Sequence, residues 1–251
     1  MSAKNRITRA SRLLVFALFV ALTPAFLIAA NASLVIDAPL LYSYGFSRYR
    51  DQIGYYLDIS DVELRSAGQQ IRDYFNDDEE FLAVSVVVSG IRVDNLYNAR
   101  EVAHMKDVKG LVRWVDRIWK LSGLYLLAFA VVALMSRHER SVRRLSKLTV
   151  AGGGLTLALV ALVGLGALAG FDRLFLAFHE VSFSNDFWLL DPTRDALIAM
   201  FPQGFFFDAT ILIVGAIIVE ALLLVVVPRL LVRRADRSAT ADKLPVPSAP
   251  R

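Results

Sequence analysis

Four long apolar stretches constrain this chain more than any other feature of its sequence. A helix needs about 20 residues to cross the roughly 30 Å of hydrocarbon in a bilayer, and three of the stretches reach about that length. The second is shorter, and we expect residues 114–120 to extend it, because their tryptophans and lysine suit a membrane interface. The pattern predicts a membrane all-α bundle of four transmembrane helices, which cover residues 13–35, 121–136, 148–170 and 209–227.

The composition agrees with membrane insertion and excludes several other classes of protein. Apolar residues make up 56% of the 251 and charged residues 21%, against about 45–50% and 25% in soluble domains. The 28 basic residues outnumber the 24 acidic ones, but the charges lie in blocks, which is not the pattern of a disordered or nucleic-acid-binding chain. The absence of cysteine excludes disulfides, zinc–thiolate sites, iron–sulfur clusters and a thiol nucleophile.

The distribution of charge between the spans predicts their orientation. The N-terminal segment, residues 137–147 and residues 228–251 each carry a net charge of +4, whereas residues 36–120 carry −3 and residues 171–208 carry −4. Because short basic segments stay in the cytoplasm, we expect both termini and the middle loop there. The two acidic loops then lie outside, and the Pro- and Ala-rich tail from 228 to 251 is expected to be mostly disordered.

Two features of the spans have alternative interpretations. Residues 1–35 combine the cytoplasmic N-terminus with the first helix, but Ala30-Asn31-Ala32 resembles a signal-peptide cleavage site. The apolar run before it exceeds the usual 7–15 residues of a signal peptide, which favours a retained helix. Glu220, the one charged residue inside a span, is interpreted equally well as a functional carboxylate or as a packing residue.

The first outer loop, residues 36–120, predicts a small extracellular α+β cap. The apolar spacing over 61–76 predicts a helix, residues 81–93 predict a short hairpin with a turn at Ser89-Gly90, and the acidic residues 77–80 between them predict a solvated turn. A second helical signal begins at Arg100 and continues towards the second span.

The outer loops also contain the residues best suited to chemistry. His104 has Glu101 three residues before it and Asp107 three residues after it, a spacing at which a carboxylate can fix the tautomer of an imidazole. The second outer loop, residues 171–208, contains His179 and then the residues Asn185, Asp186, Trp188 and Asp191. Asp191-Pro192 also predicts the N-cap and first residue of a helix that ends at Met200.

Two blocks of this sequence are distinctive, FHEVSFSNDFWLLDPTRDALIAMFPQGFF over residues 178–206 and REVAHMKDVKGL over residues 100–111. Together they resemble the bacterial lipoprotein intramolecular transacylase family. The resemblance implies a four-span protein of the bacterial plasma membrane with its active site on the extracellular face. It implies catalytic roles for His104 and His179, and it implies no cofactor and no metal.

The reaction that the resemblance implies moves an acyl chain within one substrate. The chain leaves the sn-2 ester of a diacylglyceryl-cysteine for the amino group of the same cysteine, which gives a lyso-form lipoprotein. The partners are therefore diacylated bacterial lipoproteins and membrane lipids, and nucleic acid is not among them. Such a reaction needs positioning and proton transfer, and it needs no acyl-enzyme, in agreement with a chain that lacks cysteine and a Gly-Xaa-Ser-Xaa-Gly motif.

In our hypothesis, His104 is the general base and is oriented by Asp107. His179 then either stabilises the tetrahedral oxyanion or protonates the departing glycerol oxygen. Asn185 and Asp186 would complete the donor set or orient His179, and the two histidine roles are interchangeable. A straight helix from His104 to residue 121 places the imidazole about 26 Å above the span, whereas His179 would stand only about 14 Å above residue 170. We therefore expect a break near Gly110, and an unbroken helix would argue against a shared site.

Two other functions compete with acyl transfer. A metal-dependent membrane hydrolase would use His104, His179 and Asp186 or Asp191 as ligands, although no local zinc motif supports it. A non-enzymatic envelope scaffold would tolerate substitution of both histidines but not of the glycines in the third span.

Overall fold

The computed structural model describes residues 3–136, 138–167 and 170–241, with side chains for residues 10–136, 138–165 and 170–237. These parts are mostly helical, with one two-stranded antiparallel hairpin. The elements in chain order are α1 (Ala3–Asp37), α2 (Pro39–Arg48), α3 (Arg50–Tyr56), α4 (Asp61–Asn76), β1 (Val86–Val88), β2 (Ile91–Val93), α5 (Ala99–Met135), α6 (Glu139–Ala167), α7 (Phe171–Ser182), α8 (Ala196–Met200) and α9 (Gln203–Ala241).

Four of these helices, α1, α5, α6 and α9, are long and apolar enough to cross a membrane. Most side chains in their apolar windows face outwards rather than into the protein, as expected for helices that contact lipid. The prediction of a multi-pass bundle is therefore confirmed. Helix α5 has 37 residues, about 55 Å at ~1.5 Å per residue, so its polar N-terminal half, before residue 121, extends beyond the hydrocarbon layer.

The predicted break near Gly110 is wrong, since α5 is continuous from Ala99 to Met135. A glycine inside a helix costs only about 0.5–1 kcal/mol relative to alanine, and charged contacts fix the helix on both sides of it. Lys106 and Lys109 bind Glu80 and Asp77 at 2.6 and 2.7 Å, and Arg113 binds Asp78 at 3.2 Å. The acidic turn of residues 77–80 is exposed to solvent, as predicted, and three of its carboxylates also pair with α5.

The end of the chain also differs from the prediction. Residues 228–241, expected in a mostly disordered tail, continue α9 to Ala241 with Pro228 inside the helix. The segment after Pro228 is rich in leucine, arginine and alanine, which are strong helix formers, and Asp236 pairs with Arg143. Residues 242–251 of the predicted tail lie outside the described residues.

The first of two compact units comprises residues 1–27, 120–160 and 217–251, and small residues bring its helices together. A Cβ on Gly152 would lie 2.5 Å from the Thr23 hydroxyl oxygen, and one on Gly153 would lie 2.9 Å from the Ala221 carbonyl oxygen. Both distances are too short for any other residue, so these two glycines serve close helix packing. Glu220 lines a cavity of about 350 Å³ in this unit, together with mostly apolar side chains.

The second unit comprises residues 28–119 and 161–216 and contains the main hydrophobic core. Helix α4 begins where the sequence predicts, because Ser60 caps it by accepting a hydrogen bond from the Glu63 amide at 3.2 Å. The predicted hairpin is also present, although each strand has only three residues. Ser89 and Gly90 make its turn with φ angles of 49° and 77°. The core residues of this second unit come from α1 to α5, the hairpin, α8 and α9.

Gly45 in α2 offers a sharp test of packing in this unit. A Cβ at Gly45 would lie 2.2 Å from the Phe205 ring, so we expect Gly45→Ala to destabilise the protein by about 1–3 kcal/mol through overpacking. Gly110→Ala is the matched control, because nothing lies within 4 Å of its Cβ position and alanine favours a helix by about 0.5–1 kcal/mol. Thermal unfolding in detergent should rank Gly110→Ala at or above the parent and Gly45→Ala below it; the reverse order would contradict this packing.

Candidate active site

His104 of α5 and His179 of α7 lie side by side in the second unit. Their ring centroids are 6.1 Å apart, and the two residues are only 7% and 8% exposed. Two histidines separated by 75 positions in the sequence therefore share one enclosed site.

The histidines meet although α5 is unbroken. The height expected for His179 treated α7 as a straight continuation of the third span, but α6 ends at Ala167 and α7 begins anew at Phe171. Gly170, at φ 114°, precedes α7 and starts it as a separate helix.

A hydrogen bond to the backbone fixes the tautomer of His179. Its Nδ1 lies 2.7 Å from the Phe175 carbonyl oxygen, one helical turn earlier. Because a carbonyl can only accept, Nδ1 carries the proton and donates it, which leaves a lone pair on Nε2. Burial lowers the pKa of His179 below its usual 6.5, against the opposing effect of this hydrogen bond. His179 is thus a neutral imidazole with a basic Nε2.

Aromatic rings enclose His179 on several sides. The ring centroids of Phe175, Trp188, Phe178 and Phe183 lie 4.3, 5.0, 5.2 and 5.7 Å from that of His179. Phe183 also lies 5.1 Å from His104. The two imidazoles therefore face an apolar surrounding.

His104 has a different polar environment from the one predicted. Its Nδ1 is buried and has no hydrogen-bond partner among the described residues, so Asp107 does not orient it through this atom. Burial, reinforced by the neighbouring His179, lowers the pKa of His104 well below 6.5, while the nearby Asp107 opposes the shift. His104 is therefore neutral at physiological pH.

Asp107 instead belongs to a chain of hydrogen bonds that leads to His179. Its carboxylate accepts from the Asn185 side-chain amide at 2.8 Å. The Asn185 backbone carbonyl accepts from the Trp188 indole at 2.8 Å, and the Trp188 ring stacks on His179. Of the predicted orienting residues, Asp107, Asn185 and Trp188 are thus connected, and they act on the side of His179.

The loop after α7 is attached to α5 at two points that flank His104. One is the Asn185–Asp107 contact, and the other joins Arg100 to the backbone carbonyl of Asp186 at 2.6 Å. Asp186 takes part in this attachment through its backbone carbonyl oxygen. Arg100, His104 and Asp107 are spaced so that they share one face of α5, which explains how one helix holds both the histidine and the loop beside it.

Asp191 does not cap a helix as predicted. Its carboxylate accepts from the amide and hydroxyl of Thr193, at 3.0 and 2.7 Å, within a turn. Helix α8 begins only at Ala196, with Asp195 as its N-cap residue. The Asp191-Pro192 signal therefore marks a turn, and the helix ends at Met200 as expected.

Glu101, which the sequence spacing offered as a partner for His104, is only 1% exposed and has a different role. Its carboxylate accepts from the backbone amides of Leu197 at 2.6 Å and Asn98 at 2.8 Å. Asn98 in turn accepts from the Glu101 amide at 3.1 Å, which makes a reciprocal capping box at the start of α5. The Asn-Xaa-Xaa-Glu spacing is the signal that could have found it.

The ligand set of the metal-hydrolase alternative does not assemble. Within residues 3–136, 138–167 and 170–241, no three His, Asp or Glu side chains are grouped so that they could hold a metal ion. Of the carboxylates proposed as ligands, that of Asp191 accepts hydrogen bonds from Thr193.

Four apolar helices long enough to span a membrane and an enclosed pair of histidines define a multi-pass membrane protein with a candidate active site. The family model of the lipoprotein intramolecular transacylase Lit matches residues 17–206. The chain therefore belongs to the lipoprotein intramolecular transacylase family, and it is an acyltransferase of lipoproteins.

Solved structures support the same fold. The chain matches the membrane integral lipoprotein intramolecular transacylase Lit from Bacillus cereus with a TM-score of 0.68 and 19% identity, covering 89% of this chain and 97% of that one. Two structures of that protein with a mutated histidine, to arginine and to alanine, match with TM-scores of 0.71, at 19% and 18% identity. They cover 94% and 93% of this chain and 100% and 99% of theirs. No curated protein sequence matches the chain.

Proposed function

We propose that this enzyme transfers the acyl chain at the sn-2 ester of a diacylglyceryl-cysteine to the amino group of that same cysteine. The product is a lyso-form lipoprotein with one N-linked and one ester-linked chain. The observation that carries the proposal is the enclosed pair of neutral imidazoles. In one of them, His179, the hydrogen bond from Nδ1 to the Phe175 carbonyl oxygen leaves Nε2 as the basic nitrogen.

His179 is the better candidate for the general base, which reverses the roles in the sequence-based hypothesis. The substrate amine has a pKa of about 7.7–8.0 and loses a proton as it attacks the ester carbonyl. The Nε2 lone pair of His179 can take that proton and then give it to the departing glycerol oxygen. The N–C bond forms, the C–O bond breaks, and His179 returns to its starting state.

His104 is suited to the charge that develops on the carbonyl oxygen. A neutral imidazole carries one N–H, and a donor in an apolar surrounding stabilises an oxyanion more strongly than the same donor in water. Its Nδ1 has no partner among the described residues, so this nitrogen is not committed to a structural hydrogen bond. Asp107, Asn185 and Trp188 then position His179 opposite it.

The intramolecular nature of the reaction reduces what the protein must supply. Well-oriented groups within one molecule react with effective molarities of about 10⁵–10⁸ M, and a general base adds about 10²–10⁴-fold. A site that positions amine, ester and base together therefore needs no covalent acyl-enzyme intermediate.

The charge pattern supports an active site on the extracellular face and both termini in the cytoplasm. The site is built from residues of the two segments with net negative charge, 36–120 and 171–208, whereas the N-terminal segment, residues 137–147 and residues 228–251 are net positive. Diacylated lipoproteins expose their modified cysteine at that face of a bacterial plasma membrane, within reach of such a site.

The decisive experiment expresses this chain in a bacterial host that lacks lipoprotein N-acylation. Mass spectrometry of a lipoprotein's N-terminal peptide should then show an N-acylated cysteine with one remaining ester. The total mass is unchanged by transfer, so fragmentation must locate the acyl chain on nitrogen. A peptide that keeps a free amine and two ester-linked chains in the presence of the expressed protein would reject the proposal.

A further inference from the structure

Hydrolysis of the same ester by water competes with acyl transfer, and the presence of the amine does not by itself prevent it. A base that removes a proton from an amine can also remove one from water, and water attack on the same ester would release a free fatty acid. At pH 7, an amine with a pKa of about 7.7–8.0 is protonated for roughly nine-tenths of the time. During that time the amine cannot attack, whereas a water molecule beside the base could.

One aromatic ring lies where it can exclude such a water molecule. Among the described residues, Phe183 is the one phenylalanine, tyrosine or tryptophan whose ring contacts both histidines, at 5.1 Å from His104 and 5.7 Å from His179. The residue is 9% exposed. Its ring therefore closes the histidine pair on the side of the loop that follows α7.

The backbone fixes Phe183 in this place. It follows α7 directly, and its amide donates to the His179 carbonyl oxygen at 2.9 Å. The Asn185 contact to Asp107 and the Asp186 contact to Arg100 then hold the next residues against α5. Phe183 lies between these attachments and the helix that carries His179, so it moves only if that loop moves.

We propose that Phe183 determines the specificity of this site for transfer over hydrolysis, because its ring excludes water from the histidine pair. The inference rests on the proposed function and names a residue that decides the fate of the acyl group. When the ring is removed, water attacks the ester carbonyl and gives its proton to His179. The bond to the glycerol oxygen breaks, that oxygen takes the proton, and a fatty acid leaves.

The test compares Phe183→Ala, Phe183→Leu and the parent, each purified as the full chain and mixed with a synthetic diacylglyceryl-cysteine peptide. Transfer conserves the mass of the peptide, whereas hydrolysis removes one acyl chain and leaves a free amine. We expect the ratio of hydrolysed to transferred product to rise several-fold in Phe183→Ala, because the protonated fraction of the amine is the same with both proteins and only the access of water differs. Phe183→Leu should lie between it and the parent and provides the measurement if the alanine variant does not fold.

Two controls separate this effect from general damage. Phe171→Ala removes a ring from α7, the helix that carries His179. The Phe171 ring contacts Phe175 and Phe207 and has no ring contact with either histidine, so the product ratio of this variant should match that of the parent. Adding His179→Ala to Phe183→Ala should abolish hydrolysis, because both reactions use the same base.

The possible results separate a failure of the proposed function from a failure of the role proposed for Phe183. A parent enzyme that yields no N-acylated peptide would reject the proposed function itself. A parent that transfers normally, with Phe183 variants that transfer more slowly but release no fatty acid, would reject the role of Phe183 and leave the proposed function standing.

Discussion

Replacing His179 by alanine is expected to reduce the rate of acyl transfer by about 10²–10⁴-fold, the usual contribution of a general base. The variant loses the basic Nε2 of His179, whose tautomer is fixed by the hydrogen bond from Nδ1 to the Phe175 carbonyl oxygen. His104 lies on another helix with its ring centroid 6.1 Å away, so we do not expect it to take the same proton. Binding of the diacylated substrate should change little, so the loss belongs to kcat.

His138→Ala is the matched control, since it removes the third histidine of the chain, an exposed residue between α5 and α6. Conversion to the lyso-form, followed by mass spectrometry, should be normal in this variant and lost in His179→Ala. His104→Ala should also be impaired, by about 10²–10³-fold if it removes one oxyanion donor. Full conversion by both His104→Ala and His179→Ala would refute the assignment of the histidine pair.

The pH profile gives an independent check on the same residue. Burial lowers the pKa of His179 below 6.5, so its Nε2 stays unprotonated as the pH falls from 8 to 6.5. The substrate amine, with a pKa of about 7.7–8.0, becomes protonated over that range. We therefore expect kcat/KM to rise with pH up to about 8 under control of the amine, with a second loss of activity only below pH 6.5. If a substituent lowers the pKa of the substrate amine and the midpoint of the kcat/KM profile still stays near pH 8, this interpretation is contradicted.

The spans, the helix over 61–76 and the hairpin could be predicted because each depends on local patterns. Apolar runs, a Ser60–Glu63 capping signal and a Ser89-Gly90 turn are local properties of the sequence. The two histidines were also identified, through the resemblance of the blocks that contain them. These features need no knowledge of which helices pack together.

The contacts of the site could not be predicted, because they join segments far apart in the chain. Asp107 lies one turn from His104, and spacing alone suggested that the two interact, but its carboxylate binds Asn185 from the second loop. Gly110 has low helix propensity, yet ion pairs from residues 77–80 hold α5 straight across it. In both cases a tertiary partner outweighs the local signal.

Glu101→Ala is expected to destabilise the protein more than any surface substitution, by about 1–3 kcal/mol. The carboxylate accepts from the buried Leu197 amide and from the amide of the exposed Asn98, and a buried donor left without a partner costs about 1–3 kcal/mol. The melting temperature in detergent should fall by on the order of 2–12 °C. Glu79→Ala is the control, because this exposed glutamate is in the same unit and surface changes usually stay within about 0.5 kcal/mol.

The consequence of Glu101→Ala for activity follows from where its two partners lie. Asn98 caps the start of α5 just before His104, and Leu197 lies in α8, which follows the loop that contains Asn185 and Trp188. Losing the carboxylate therefore loosens both segments that hold the histidine pair, and Glu101→Gln should do so less because it keeps one acceptor oxygen. We expect the rate of transfer to fall in the order parent, Glu101→Gln, Glu101→Ala, measured at a temperature where all three remain folded. An alanine variant that melts with the Glu79→Ala control would show that this buried carboxylate does not hold the two segments together.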